Sequence, residues 1–202
     1  MRMQSPIFML VFILAVLVMC VALPMILNYN GLVKAEKAVD EAWAQIDTAL
    51  ERRLELIPSL VNIVKGYAEH ERGTLLAVIE ARNSAQNVLE VSKAKESLNQ
   101  EDVANLMSSQ ARVTSSLKDL FALVESYPDL KAAMNFLALQ DQMEGTINRI
   151  ATSRNRYNTA IRIYNSKRET FPGVIIAPVF GFEEKYPFEA REKAREDYVV
   201  EF

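Results

Sequence analysis

An uncharged apolar run near the amino terminus sets the first limit on how this chain folds. The run extends from Pro6 to Leu27 and reads PIFMLVFILAVLVMCVALPMIL. In a helix, about 22 residues at about 1.5 Å each cross a hydrocarbon core of about 30 Å. We therefore predict a transmembrane helix over residues 6–28, with a short tail, residues 1–5, before it.

The flanks of the run favour an uncleaved anchor. The run is longer than the apolar part of a signal peptide, and no A-x-A-like cleavage site follows it. A lipoprotein, the less favoured alternative, needs a small residue before Cys20, where this chain has Met19. Basic residues on the two sides, Arg2 against Lys34 and Lys37, are nearly balanced and leave the orientation open. A short tail before an uncleaved anchor favours an extracytoplasmic body.

Composition excludes several classes of protein. A length of 202 residues suits one domain, and a net charge of -3 gives no electrostatic case for nucleic acid. With one cysteine and one histidine, the chain lacks the residues for an internal disulfide or a structural zinc site. We expect no cofactor and no metal.

Residues 29–171 are predicted to be all-α. Between Leu32 and Phe171 there are only two prolines and three glycines, too few for the many turns of a sheet protein. Apolar residues recur every three or four positions, which is the helical period. This pattern predicts an elongated antiparallel bundle of three long helices. The first covers about residues 31–95 with a kink at Pro58, the second follows a capping box at Asn99, and the third starts at Pro128.

The predicted helices differ in length, at about 96, 41 and 63 Å. Apolar stripes on the longer helices would then lack an internal partner, at a cost of about 25 cal/mol per Å² exposed. We therefore expect a homo-oligomer with coiled-coil-like contacts.

The last predicted segment covers residues 172–202. Its first part, residues 172–188, is too apolar for a loose tail. We expect it to pack against the bundle or a neighbouring subunit, with short strand-like pieces. Residues 189–197 are predicted as a charged helical turn, and residues 198–202 as an extension along an exposed edge.

Three stretches of the chain resemble the LemA family of bacterial membrane-anchored proteins: Tyr29–Arg82, Tyr127–Asn165 and Phe171–Glu189. The resemblance implies a single-pass anchor followed by a helical bundle, without an established enzymatic activity. It also implies a role in membrane organisation, or an accessory role beside a membrane protease or another envelope protein.

Enzyme chemistry finds little support in the sequence. An HE pair begins at His70, but Thr74 occupies the second ligand position of H-E-x-x-H, so no zinc site forms. Asp40, Glu41 and Asp47 fit a solvated helix face better than a carboxylate site. Without a nucleophile–base pair, phosphate loop or dinucleotide motif, we expect neither an enzyme nor a small-molecule substrate.

One helix carries a strong basic bias, because no acid occurs between Gly145 and Arg168. Arg149, Arg156 and Lys167 share a narrow face, which could meet lipid head groups or an acidic partner helix; the alternative is pairing with acids inside the bundle. Arg154 and Gln140 lie in the apolar stripe, and we predict that they form a polar layer that sets register.

Aromatic residues complete the predicted core. Tyr157-Asn158 and Tyr164-Asn165 repeat at a seven-residue interval, which places both tyrosines on the buried side. We assign these tyrosines and Trp43 to packing rather than to ligand binding.

Together these features predict a non-enzymatic, single-pass protein of the bacterial inner membrane that self-associates as a structural or scaffolding component. The alternative is an accessory or regulatory subunit of a membrane protease or signalling complex. The expected partners are the lipid bilayer, further copies of the chain and, in the alternative, another membrane protein.

Overall fold

The computed structural model describes residues 6–95 and 97–188, and these residues contain helices but no strand. The helices are α1 (Pro6–Tyr67), α2 (Arg72–Lys93), α3 (Gln100–Val124), α4 (Pro128–Lys131), α5 (Met134–Glu169) and α6 (Gly173–Phe180). The all-α prediction is confirmed. The predictions for residues 1–5 and for residues 189–202 lie outside the described part of the chain.

The single helix predicted for residues 31–95 is wrong, because the chain leaves the helix after Tyr67 and starts α2 at Arg72. A turn closes the gap, with the Glu71 amide donating to the Ala68 carbonyl at 3.1 Å. Gly66 and Gly73 bracket this break, and glycine is among the weakest helix formers. α1 itself continues past Pro58. The predicted first helix of about 96 Å therefore does not form, and the difference in helix length from which we expected unpaired apolar stripes no longer holds.

The second helix begins as predicted. The Asn99 side chain accepts the Asp102 amide at 2.9 Å, while the Asp102 carboxylate accepts the Asn99 amide at 3.1 Å. This capping box satisfies two amides that the first turn would otherwise leave unpaired. α2 and α3 pack on each other through apolar side chains, which include Leu89 and Leu106. The predicted third helix is divided into the one-turn α4 and the long α5.

The chain forms two compact units. Of the described residues, unit 1 holds those up to Asp40 together with Ala160–Lys185, and its buried side chains include Leu32, Tyr164 and Ile176. Unit 2 holds Glu41–Thr159 and, at the end of the described chain, residues 186–188. Its core is built mainly by α1, α2, α3 and α5, with Ile57, Leu89 and Leu120 fully enclosed.

The strand-like pieces expected after residue 172 are wrong for the described residues, where α6 forms instead. Gly173, Ile176 and Ala177 recur at helical spacing and are buried together. α6 ends at Gly181, whose φ of 75° lies in the left-handed region that glycine tolerates. The Phe182 amide then closes the last turn on the Ala177 carbonyl at 2.9 Å.

The apolar run forms the start of α1 within unit 1. No residue in the run's window of highest hydropathy is buried, and the helix is long and apolar enough to cross a membrane. No loop separates the run from the rest of α1, which continues to Tyr67. The predicted boundary at residue 28 is therefore a change of composition inside one helix.

Candidate functional site

Unit 2 contains an open cleft of about 870 Å³ between α1, α3 and α5. Apolar walls come from Ile46, Leu50, Leu106, Ile150 and Phe188. The volume lies within the range of small-molecule pockets, and the lining combines apolar with polar side chains.

Arg53 is the most deeply buried charge in this cleft, with only 5% of its surface exposed. Its guanidinium donates to the Thr114 hydroxyl at 3.1 Å and to the carbonyl and side-chain oxygens of Gln110. Burial lowers the pKa of Arg53 to about 10. Its Nε and the Gln110 Nε2 have no hydrogen-bond partner among the described residues.

Two more cations, Arg154 and Lys118, line the same cleft. Arg154 is half-buried over the ring of Phe188, with its Cζ 5.7 Å from the ring centre, and burial lowers its pKa. Ser108 and Ser115 add hydroxyl groups, whereas no Asp or Glu belongs to the described lining. Chemically, such a lining suits an anionic group better than a cation or a metal.

The residues predicted to form a polar layer are not brought together. Gln140 donates to the Glu144 carboxylate at 3.1 Å, whereas Arg154 lies over Phe188. Fourteen residues separate them, or about 21 Å along α5, so one layer cannot contain both. Arg53, which sequence reasoning missed, has the more buried position. Its spacing from Leu50 and Ile57, at three and four residues, is the signal that could have revealed it.

The predicted basic face is divided between the two units. In unit 2, Arg149 is exposed and Arg156 donates to the Gln45 side chain at 3.1 Å. In unit 1, the Lys167 Nζ lies 3.3 Å from the Gly31 carbonyl oxygen. Within the part of the chain that the structure describes, none of these three cations forms an ion pair.

The first Tyr-Asn pair holds the end of the described chain in unit 2. Asn158 makes two hydrogen bonds to the backbone of Phe188, one through its amide nitrogen and one through its oxygen, both at 2.9 Å. The Phe188 ring stacks on Trp43, with centroids 6.1 Å apart, and contacts Tyr157 at 5.2 Å. The aromatic residues therefore pack around Phe188.

The second pair does the same in unit 1. Asn165 bonds both the carbonyl and the amide of Lys185, at 2.8 and 3.2 Å. The Tyr164 hydroxyl donates to the Glu183 carbonyl at 2.8 Å, and burial, together with the charge of Glu36, raises its pKa to about 12. Lys185 forms an ion pair with Glu36 at 3.2 Å. Sequence reasoning found this repeat but missed that its asparagines bind backbone.

The structure gives the predicted acidic residues separate surroundings. Asp40 belongs to unit 1, whereas Asp47 lies in unit 2 with its carboxylate 3.5 Å from Lys93. Burial raises the pKa of both carboxyls. Over residues 6–95 and 97–188, no group of three or more His, Cys, Asp or Glu side chains could hold a metal ion.

Comparison with known proteins gives one consistent result. Residues 42–202 match the model of the LemA family. The chain is also similar to Protein LemA of Metamycoplasma hominis, with 25% identity over 168 residues, which cover 83% of this chain and 72% of that protein. The matched region includes both Tyr-Asn pairs, the cationic cleft and α6.

Proposed function

The chain belongs to the LemA family, and we propose that it is a non-enzymatic, single-pass protein of the bacterial inner membrane. In this proposal it self-associates as a structural component of the envelope, and its body is extracytoplasmic. Its helices are arranged as an antiparallel bundle.

The exposed apolar start of α1 carries the membrane part of the proposal. None of the residues in the most apolar window of this uncharged run is buried, and such a run is stable in lipid and costly to expose to water. Because α1 continues past the run without a loop, the anchor and the following helix are one element.

A face of α5 in unit 2 supports self-association. Leu137 and Ile147 are apolar residues of α5 that are 44% and 43% exposed. With Gln140 and Glu144 they lie within about 80° around the helix axis. An apolar face with a central polar pair is typical of a helix that meets a partner in defined register.

Size measurement of the full chain in a mild non-ionic detergent tests this proposal. We expect a homomeric particle larger than a monomer, and we expect Leu137→Glu with Ile147→Glu to dissociate it. Leu76→Glu, which changes an exposed apolar residue of α2, is the matched control and should leave the size unchanged.

Two results would contradict self-association. One is a monomer at every concentration, and the other is a stoichiometric complex with a different membrane protein after pull-down. The second result would favour the accessory or regulatory role. Reporters active on only one side of the membrane, fused after residue 202, test the extracytoplasmic body separately.

A further inference from the structure

α6 is apolar on every side. The stretch 171–182 reads FPGVIIAPVFGF and contains no charge. One face of α6 is buried in unit 1 through Ile176 and Ala177. The opposite side is exposed, at 52% for Val174, 49% for Ile175 and 73% for Val179, and Phe171, which lies just before α6, is 80% exposed. Helices that are hydrophobic all round normally lie inside a protein core or a membrane.

The position of α6 favours a membrane. The Phe180 ring lies 4.9 Å from the ring of Tyr29, and the Phe182 ring lies 5.7 Å from it. Tyr29 follows the last residue of the apolar run, Leu27, by two positions, or about 3 Å along α1. The C-terminal end of α6 is thus placed near the level where the run ends. Tyrosine is also enriched at this depth in membrane proteins.

Basic groups lie near the end of the apolar run and the end of α6. Lys167 lies 3.3 Å from the Gly31 carbonyl oxygen, and the Arg168 Nε donates to the Phe182 carbonyl at 3.1 Å. Lys167 is therefore close to the end of the apolar run, and Arg168 lies beside the end of α6. Cations next to an apolar helix face match anionic head groups above acyl chains.

We propose that α6 is an interfacial membrane helix, with Phe171, Val174, Ile175 and Val179 inserted among the acyl chains beside the transmembrane segment. The proposal rests on the proposed membrane anchor. Lipid fits this face better than a second copy of the chain, because the face continues the level of the apolar run and has basic groups beside it. The chain would then contact the bilayer at two points, which limits the tilt of α1.

Depth-dependent fluorescence quenching tests the insertion. The full chain carries Val179→Cys in a Cys20→Ser background, labelled with the dye NBD, in vesicles of phosphatidylcholine and phosphatidylglycerol. The matched control is Ile163→Cys on α5, an apolar residue of the same unit that is also exposed. Ile163 is next to Tyr164, which is close to the charge of Glu36. Glu36 follows Leu27 by nine residues, or about 14 Å along α1, so this control position lies well beyond the end of the apolar run.

We expect the emission of NBD at position 179 to be blue-shifted. We also expect lipid that is spin-labelled at carbon 5 to quench NBD at position 179 severalfold more strongly than NBD at position 163. Equal, water-like emission at both positions would overturn the inference. NBD on the native Cys20 tests the anchor itself. If Cys20 is quenched and position 179 is not, only the inference fails; if neither is quenched, the anchor fails as well.

Discussion

At the scale of single residues, Asn158 is the side chain that fixes Phe188. Its amide forms a closed pair of hydrogen bonds with the Phe188 backbone, and each neutral bond contributes about 1 kcal/mol. We expect Asn158→Ala to lower the free energy of unfolding by about 2 kcal/mol. It should also change the fluorescence of Trp43, which stacks on Phe188.

Asn155→Ala is the control for this prediction, because Asn155 is exposed one turn earlier on α5. Urea unfolding followed by tryptophan emission measures both effects. Equal stability and equal emission for the two variants would show that the paired bonds at Asn158 contribute nothing.

Tyr164 gives unit 1 a dependence on alkaline pH. The pKa of its buried hydroxyl is raised from 10.0 to about 12, so the folded chain retains a proton that the unfolded chain releases. The unfolded state therefore binds fewer protons in this window, and the free energy of unfolding falls as pH rises through it. Between about pH 9 and about pH 11, we expect the free energy of unfolding to fall less for Tyr164→Phe than for the native chain. The same decrease in both proteins would contradict this assignment.

Three residues of unit 2 show how far spacing predicts a site. Trp43 and Tyr157 were predicted correctly as packing residues, because aromatic side chains at helical spacing bury large surfaces. Arg53 was missed, since a charged residue is assigned to solvent by default. Its burial depends on the hydroxyl and amide groups that α3 brings to it, and these are distant in sequence.

At the scale of helices, Gly173 sets how closely α6 approaches the end of α5. A Cβ at this position would lie 1.9 Å from the Lys167 carbonyl oxygen, so the helices must move apart. We expect Gly173→Ala to destabilise the chain by about 1–3 kcal/mol. Gly145→Ala is the matched control in α5. A Cβ added there has no atom within 4 Å apart from its chain neighbours and the local backbone of α5, so alanine should stabilise the chain by about 0.5–1 kcal/mol. Thermal unfolding of both variants checks the opposite signs, and a neutral Gly173→Ala would contradict the close approach.

Helix type was easier to predict than helix ends. The capping box at Asn99 was found from sequence because its two bonds depend on residues three apart. The break between α1 and α2 has no proline and no side-chain cap, and the apolar period continues through it. The sequence therefore carries no clear signal of this helix end. α6 was expected to be strand-like because a short apolar run does not distinguish a helix from a strand by period alone.

At the scale of the whole molecule, the membrane span and α6 make separable contributions to membrane binding. A chain of residues 29–202 would lack the apolar run but would keep the exposed face of α6. A single interfacial helix gives weak, reversible binding, and basic groups such as Lys167 make it sensitive to salt. We therefore expect this shortened chain to bind vesicles that contain phosphatidylglycerol at low salt and to dissociate as salt is added.

Substitution of the exposed face separates this contribution from nonspecific adhesion. Val179→Asp places a charge on the exposed face and should abolish vesicle binding, whereas Leu76→Asp, on an exposed site of α2, should not. Sedimentation with vesicles measures binding, and circular dichroism shows that each shortened chain remains helical. Folded chains that bind equally well with and without Val179→Asp would assign the binding to another surface. With the full chain, we expect neither substitution to release the protein, because the span alone holds it in the bilayer.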